Sequence, residues 1–258
     1  MKIRRILPLA LPLVILSCAA PSALGPDGNV QIRQSSPALV SQGSQAFAEM
    51  KSQKRISSNT SYRSQVNRVA SRLTRVINLP NAQWEFVVFE DSTPNAFALP
   101  GGKVGINTGL FQITQNDAGL ATVLAHEIAH VTSNHADARI KNQQGIGLGA
   151  TVLGGLIGSE GATQLLSGAG NIAFGLTFSR TQELEADRIG ALFMARAGYN
   201  PNEAIAMWER FAAYNNARGS QGAEFLRTHP LNETRINALR EFLPTAQQAH
   251  RQLSLIHI

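Results

Sequence analysis

The chain carries a single cysteine, Cys18, among its 258 residues, so no disulfide can form within it. An oxidising compartment therefore neither strengthens nor harms the fold. Aromatic residues make up only 6% of the sequence, and no basic-aromatic stripe or glycine-rich phosphate loop is present. Those absences argue against base-stacking nucleic-acid platforms and P-loop nucleotide sites. Charge is also modest. Lys2, Arg4 and Arg5 fall in an N-terminal segment expected to be removed, and taking those three from the formal +6 leaves about +3. That is too little to point to nucleic acid. No apolar run approaches the roughly 20 residues of a membrane-spanning helix. The nearest are Ile6 to Leu16 and Gly147 to Gly158, and Ser159, Glu160 and Gln164 break up the second.

What is present is organised around Val123-Leu-Ala-His126-Glu127-Ile-Ala-His130-Val131. Small and aliphatic residues at the other positions predict a helix, which brings His126 and His130, four apart, onto one side. Unpaired imidazoles are costly inside such an apolar run. Two neutral imidazoles at this spacing can share one Zn²⁺, and Glu127 is then placed to activate a water on it. The pattern H-E-x-x-H is a metallopeptidase signature. A catalytic zinc commonly takes three protein ligands, so a third is expected from a second helix. Glu183, Glu185 and Asp187 are the candidates. Glu183 and Asp187 share a helix face and Glu185 does not, which favours Glu183 as ligand and Asp187 as partner to a ligand imidazole N–H.

The front of the chain reads as targeting sequence. Lys2, Arg4 and Arg5 precede an apolar stretch of signal length. Ser17-Cys18 at its end resembles a bacterial lipobox, which makes Cys18 a lipidation site; the alternative is an ordinary signal peptide cut near Ala19-Ala20. The expected organisation is a signal segment at 1–18, a flexible tether at 19–40 and one domain at 41–245. A tail follows at 246–258. Its last six residues match the translation of a transposon-based sequencing adapter and are expected to be foreign to the natural C-terminus.

Within the domain, helices are expected at Ser41–Ile56, at Ser61–Ile77 and from Asn116 or Asp117 to about Ala138. Later ones are expected at Ser179–Ala197, from Asn200-Pro201 to about Ala217, at Gln221–Arg227, and at Asn232–Leu243, the last stopped by Pro244. Trp84–Phe89 reads as a strand, and two extended runs around Pro100-Gly101-Gly102 as a hairpin. Residues 145–175, rich in glycine and small apolar side chains, read as a mobile helical pair or flap beside the cleft.

His126-Glu127-x-x-His130 followed by Glu183-x-x-x-Asp187 resembles the gluzincin zinc metallopeptidases of the CAAX prenyl protease, HtpX and BepA type, which include the bacterial periplasmic lipoproteins LoiP and YcaL. The likeness takes in Asn95-Ala-Phe-Ala-Leu-Pro-Gly-Gly, Ser179-Arg180, Thr228-His229-Pro230 and Arg235, and so runs from about Ala46 to Leu243. It implies an α+β fold, mainly α-helical and zincin-like, with a small sheet or hairpin bordering the cleft. It implies one Zn²⁺ on His126, His130 and Glu183, with Glu127 as general base. Asn95, Ala96 and Phe97 would border the substrate cleft, although spacing alone favours a plain piece of sheet. His229 would be able to approach and mask the zinc, and Arg235 or His229 to stabilise the oxyanion. The expected function is hydrolysis of misfolded or misassembled envelope proteins by a lipid-anchored periplasmic endopeptidase. Ala19 carries no inner-membrane retention signal, which favours the outer membrane. Polypeptides and the outer-membrane assembly machinery are the expected partners. The integral-membrane relatives' long apolar spans and BepA's helical repeats are both lacking here. A zinc-bound chaperone using the same cleft is the alternative, and a structural lipoprotein with a fortuitous motif the second.

Overall fold

The computed structural model describes residues 22–25, 28–80, 82–141, 177–219 and 224–256. Cys18, the signal segment and the whole stretch read as a flap lie outside them. The described part is mostly helical with one three-stranded sheet, which is the α+β architecture expected.

Helix α1 (Pro37–Gln53) starts at Ser36, whose side chain accepts the Leu39 N–H. Helix α2 (Thr60–Arg75) starts at Asn59 and buries Val66, Val69, Ala70 and Leu73, the apolar face its periodicity predicts. Strands β1 (Glu85–Phe89), β2 (Ala96–Leu99) and β3 (Lys103–Asn107) are ordered β1-β3-β2. The β2–β3 pair is the expected hairpin; Gly101 and Gly102 both take φ +87°, where a side chain would be strained. Both β1 and β2 are therefore edge strands; the segment before α2 bridges β1 at Phe89, and β2 is the edge on the side of α4.

After the short α3 (Phe111–Thr114) comes α4 (Asp117–Thr132), capped by the Asn116 side chain on the Gly119 N–H. From Gly119 onward every residue of α4 is buried, so this helix is the centre of the molecule. Its main neighbour is α5 (Arg180–Arg196), which opens with a reciprocal capping box between Ser179 and Gln182. The two helices approach closely at Gly190, where a Cβ would lie 3.0 Å from the His126 backbone N. Helices α6 (Asn202–Arg218), α7 (Phe225–Thr228) and α8 (Glu233–Ile256) complete the chain, and α8 packs chiefly on α5. No helix among the described residues is long and apolar enough to cross a membrane.

Three expectations are corrected. Helix α4 ends at Thr132 and not near Ala138: Asn134 adopts φ +55°, the chain turns, and helix resumes only over 135–141. The final helix does not stop at Pro244. It runs through the proline, because Ala246 and Ala249 beyond it pack on the core and offset the lost backbone bond. Of the short helix expected at Gln221–Arg227, residues 221–223 lie outside the described residues, and a helix is present at Phe225–Thr228. Finally, the described part of 19–40 is not a loose tether. Ala23 is fully buried, Leu24 bridges Val30, and the Arg33 N–H donates to the Thr132 carbonyl at 2.7 Å. Its proline- and glycine-rich composition carries no periodic signal, yet its backbone bonds and apolar side chains strap it onto α4 and α5.

Candidate metal centre

Helix α4 carries His126, Glu127 and His130, and the first two turns of α5 carry Glu183 and Asp187. All five side chains are at most 4% exposed, so their polar atoms must find partners among themselves. The His126 and His130 Nε2 atoms face each other at 3.1 Å. Glu183 Oε2 lies 3.5 Å from His126 Nε2, and its Oε1 lies 3.5 Å from His130 Nε2. Donors bonded at about 2 Å to a tetrahedral zinc stand roughly 3.3 Å apart, so this triangle has the right size. His229, from the loop after α7, brings its Nδ1 to 2.9 Å from Glu183 Oε1 and 3.3 Å from His126 Nε2. One atom from each of the four residues falls within 4.8 Å of all the others.

The donor set fits a divalent cation chemically as well as by spacing. His126 Nδ1 sits 3.0 Å from Asp187 Oδ1, an ion-pair contact that favours the proton on that nitrogen and the Nε2 lone pair inward. Burial disfavours a charged His126, but Asp187 and Glu183 outweigh it and raise the group to about 9. The proton so held is what a metal would displace. His130 is pushed well below its usual range by burial, so it is neutral and ready to ligate. Burial works against the Glu183 carboxylate, yet His229 and His126 keep it ionised far below the usual carboxylate range.

Glu127 stands beside this group in a different environment. Burial raises its carboxyl, against the pull of His229 and His126. Its Oε2 accepts the Ala98 N–H at 3.1 Å, and its Oε1 has no hydrogen-bond partner, with His229 Nε2 at 3.3 Å. The carboxyl opens on a cleft of about 480 Å³ lined by Asn95 to Pro100, Glu127, His130 and His229. Asn95, Ala96 and Phe97 thus lie on its wall. The Asn107 N–H donates to the Asn95 carbonyl, so by strict alternation Phe97 and Leu99 pair with β3 while the N–H and C=O of Ala96 and Ala98 face outward.

Arg235 does not line the cleft. Its Nε and Nη2 donate to the two Asp187 oxygens at 2.8 Å each, and its Nη1 lies 2.7 Å from Glu183 Oε2. It also donates to the carbonyls of His229 and Pro230. A guanidinium so committed is a brace for the acidic pair and not an oxyanion donor, which corrects the role first given to it. Sequence reading also missed three residues. His135 contacts the other ring nitrogen of His130, Phe178 packs on the His130 ring at 3.8 Å between centroids, and Arg139 lies over Phe178 at the cleft wall. His135 lies five positions after His130, off the face of a continued helix, and only the break at Asn134 returns it. Both its burial and the helix end before it are products of the tertiary structure, so the sequence carried no signal for its role.

Two crossing helices that pool a histidine pair and a glutamate beside a second, buried glutamate define a zinc metallopeptidase of the H-E-x-x-H class. The particular family follows from comparison with known proteins. The profile of peptidase family M48 matches residues 60–243, and the chain belongs to that family. The mitochondrial metalloendopeptidase OMA1 of Schizosaccharomyces pombe is 38% identical over 182 residues, covering 70% of this chain and 53% of the relative. OMA1 of Saccharomyces cerevisiae is also 38% identical, over 179 residues, with 67% and 51% covered. The beta-barrel assembly-enhancing protease of Escherichia coli K12 is 32% identical over 180 residues, with 66% and 37% covered. The chain therefore spans about half of the OMA1 relatives it matches, and less of the bacterial one.

Proposed function

We propose that the protein is a zinc-dependent endopeptidase that cuts extended segments of misfolded or misassembled cell-envelope proteins. The observation that carries this reading is the placement of Glu127 between the metal-ligand group and the free edge of β2. An extended peptide laid along the β2 edge would pair with the outward N–H and C=O of Ala96 and the C=O of Ala98, whose N–H is held by Glu127. That pairing sets its scissile bond over His126, His130 and Glu183. When bound there, zinc supplies Lewis acidity: it polarises a carbonyl and makes water acidic enough to attack near neutral pH. Glu127 receives the attacking water's proton at Oε1, the atom without a partner, and returns it to the leaving amine. Its raised carboxyl pKa suits both transfers. Asp187, held by Arg235, keeps His126 aimed.

The envelope assignment rests on the signal-like N-terminus with Cys18 and on the likeness to the beta-barrel assembly-enhancing protease. In this reading Cys18 is lipidated, the domain sits at the periplasmic face of the outer membrane, and the assembly machinery there supplies clients. The OMA1 relatives carry a mitochondrial name, so the location is tested directly: radiolabelled palmitate incorporation should be lost in Cys18→Ala. The chemistry is tested by casein cleavage with and without a chelator, in the wild type beside Glu127→Gln. Cleavage that survives the chelator would overturn it.

A second reading has one observation of its own. His229 belongs to the same group as the three ligands, and four protein ligands leave a zinc no open position. The protein would then be latent, or hold clients without cutting them. In that case His229→Ala raises casein cleavage; if His229 works in the reaction, the same change lowers it.

A further inference from the structure

His130 is oriented by a pair of residues on the side of the site away from Asp187. His135 Nδ1 lies 2.9 Å from His130 Nδ1, and His135 Nε2 lies 2.8 Å from Glu185 Oε2. His135 is buried, and Glu185 is half-buried on the α5 face opposite to Glu183. These contacts fix the tautomers in sequence. A carboxylate only accepts, so His135 carries its proton on Nε2. In a neutral His135 ring Nδ1 is then the acceptor, and the donor across the 2.9 Å contact is the Nδ1–H of His130. That leaves the His130 Nε2 lone pair aimed at the metal-ligand group. Glu185 is itself held from behind: its Oε1 accepts from Ser22 Oγ at 2.7 Å and from the Ala23 N–H.

We infer that His135 and Glu185 are positioning residues of the metal centre, holding His130 in its ligating tautomer and rotamer as Asp187 and Arg235 hold His126. The two ligand histidines thus each have an anionic anchor on α5, one direct and one through a second imidazole. The strap at Ser22-Ala23 completes the longer of the two. The inference rests on the zinc reading of the site and adds to it.

Chelator-competition titration of zinc, run on the full chain, tests it. Partners at this remove from a metal typically contribute roughly 10- to 100-fold in affinity. His135→Leu should weaken zinc binding by about that factor. His135→Asn, whose side-chain oxygen stands where Nδ1 stood, should recover most of the loss. Glu185→Ala, at a position whose side chain is 14% exposed, should weaken zinc binding by no more than the roughly 10-fold lower end of that range. The metal-free Tm is measured alongside, because a merely structural His135 would lower that Tm and leave the affinity alone. The inference is overturned if His135→Leu binds zinc as tightly as the wild type, or if the asparagine is as weak as the leucine. A wild type that binds no zinc overturns the metal reading itself, which is a separate result.

Discussion

At the scale of single residues, the site divides labour among carboxylates by their surroundings. Glu127 is buried with little compensation, so its carboxyl is raised and can exchange protons. Asp187 is equally buried, but the Arg235 guanidinium offsets that cost and keeps it a fixed anion. The same residue type at 183 or 127 therefore does different work. Glu127→Gln should lower peptide cleavage by roughly 10² to 10⁴-fold, with zinc content by metal analysis unchanged. Glu183→Ala should instead lose the metal, read by the same analysis. Arg235→Ala leaves Asp187 a buried charge without its guanidinium, and the folded protein should lose about 3–5 kcal/mol in denaturant titration. His126, Glu127 and His130 were legible in sequence as a unit, because a four-residue helical period is a local property. Arg235 was legible as a match but not in its role. Only its bonds to Asp187 and to two loop carbonyls show that it faces away from the cleft.

At the scale of elements, the centre depends on how closely α4 and α5 cross. Gly190 permits this, since a methyl group there would meet the His126 backbone at 3.0 to 3.1 Å. Gly190→Ala should force the helices apart by a few tenths of an ångström and cost about 1–3 kcal/mol, as overpacking does. The check is paired: Tm should fall, and zinc should bind more weakly because Glu183 recedes from both imidazoles. Asn116→Ala removes the cap of α4 and should cost about 1 kcal/mol with little effect on zinc, since His126 lies nearly three turns further on. The element boundaries show what local pattern can tell. The starts of α4 and α5 were readable from their capping residues, while the end of α4 was not. There the left-handed Asn134 and the Thr132 carbonyl bonded to Arg33 decide the stop, and neither is a feature of the helix sequence itself.

For the molecule as a whole, the N-terminal strap ties the front of the chain to the back of the metal centre. Glu185 is pulled down to about 2, against burial, by His135, Ser22 and the Ala23 amide. A carboxyl depressed from 4.5 stabilises the fold fully above about pH 4.5, and this contribution fades as pH falls toward 2. Amide exchange at Ala23 should therefore quicken as pH drops through that window, beyond the intrinsic pH effect. In Glu185→Gln it should already be fast at neutral pH. Zinc, binding only the folded chain, should stabilise the whole molecule; at a free concentration a thousand times its Kd the gain is about 4 kcal/mol. A chelator should lower the Tm accordingly, and added zinc should restore it.

The sequence by itself determined the chemistry and the main elements. Helical spacing, capping residues and the alternation around Pro100-Gly101-Gly102 are short-range, and each acts within a few residues. It also held Glu183, the glutamate proposed as the third ligand, which shares one helix face with Asp187. The tertiary structure alone decided which groups stand behind these. Arg235 reaches Asp187 across 48 positions, and His135 reaches Glu185 across 50. Ser22 meets Glu185 across 163. No local rule fixes such pairings. They follow from burying α4 on every side, which leaves each polar group on it to be satisfied by whatever the fold brings alongside.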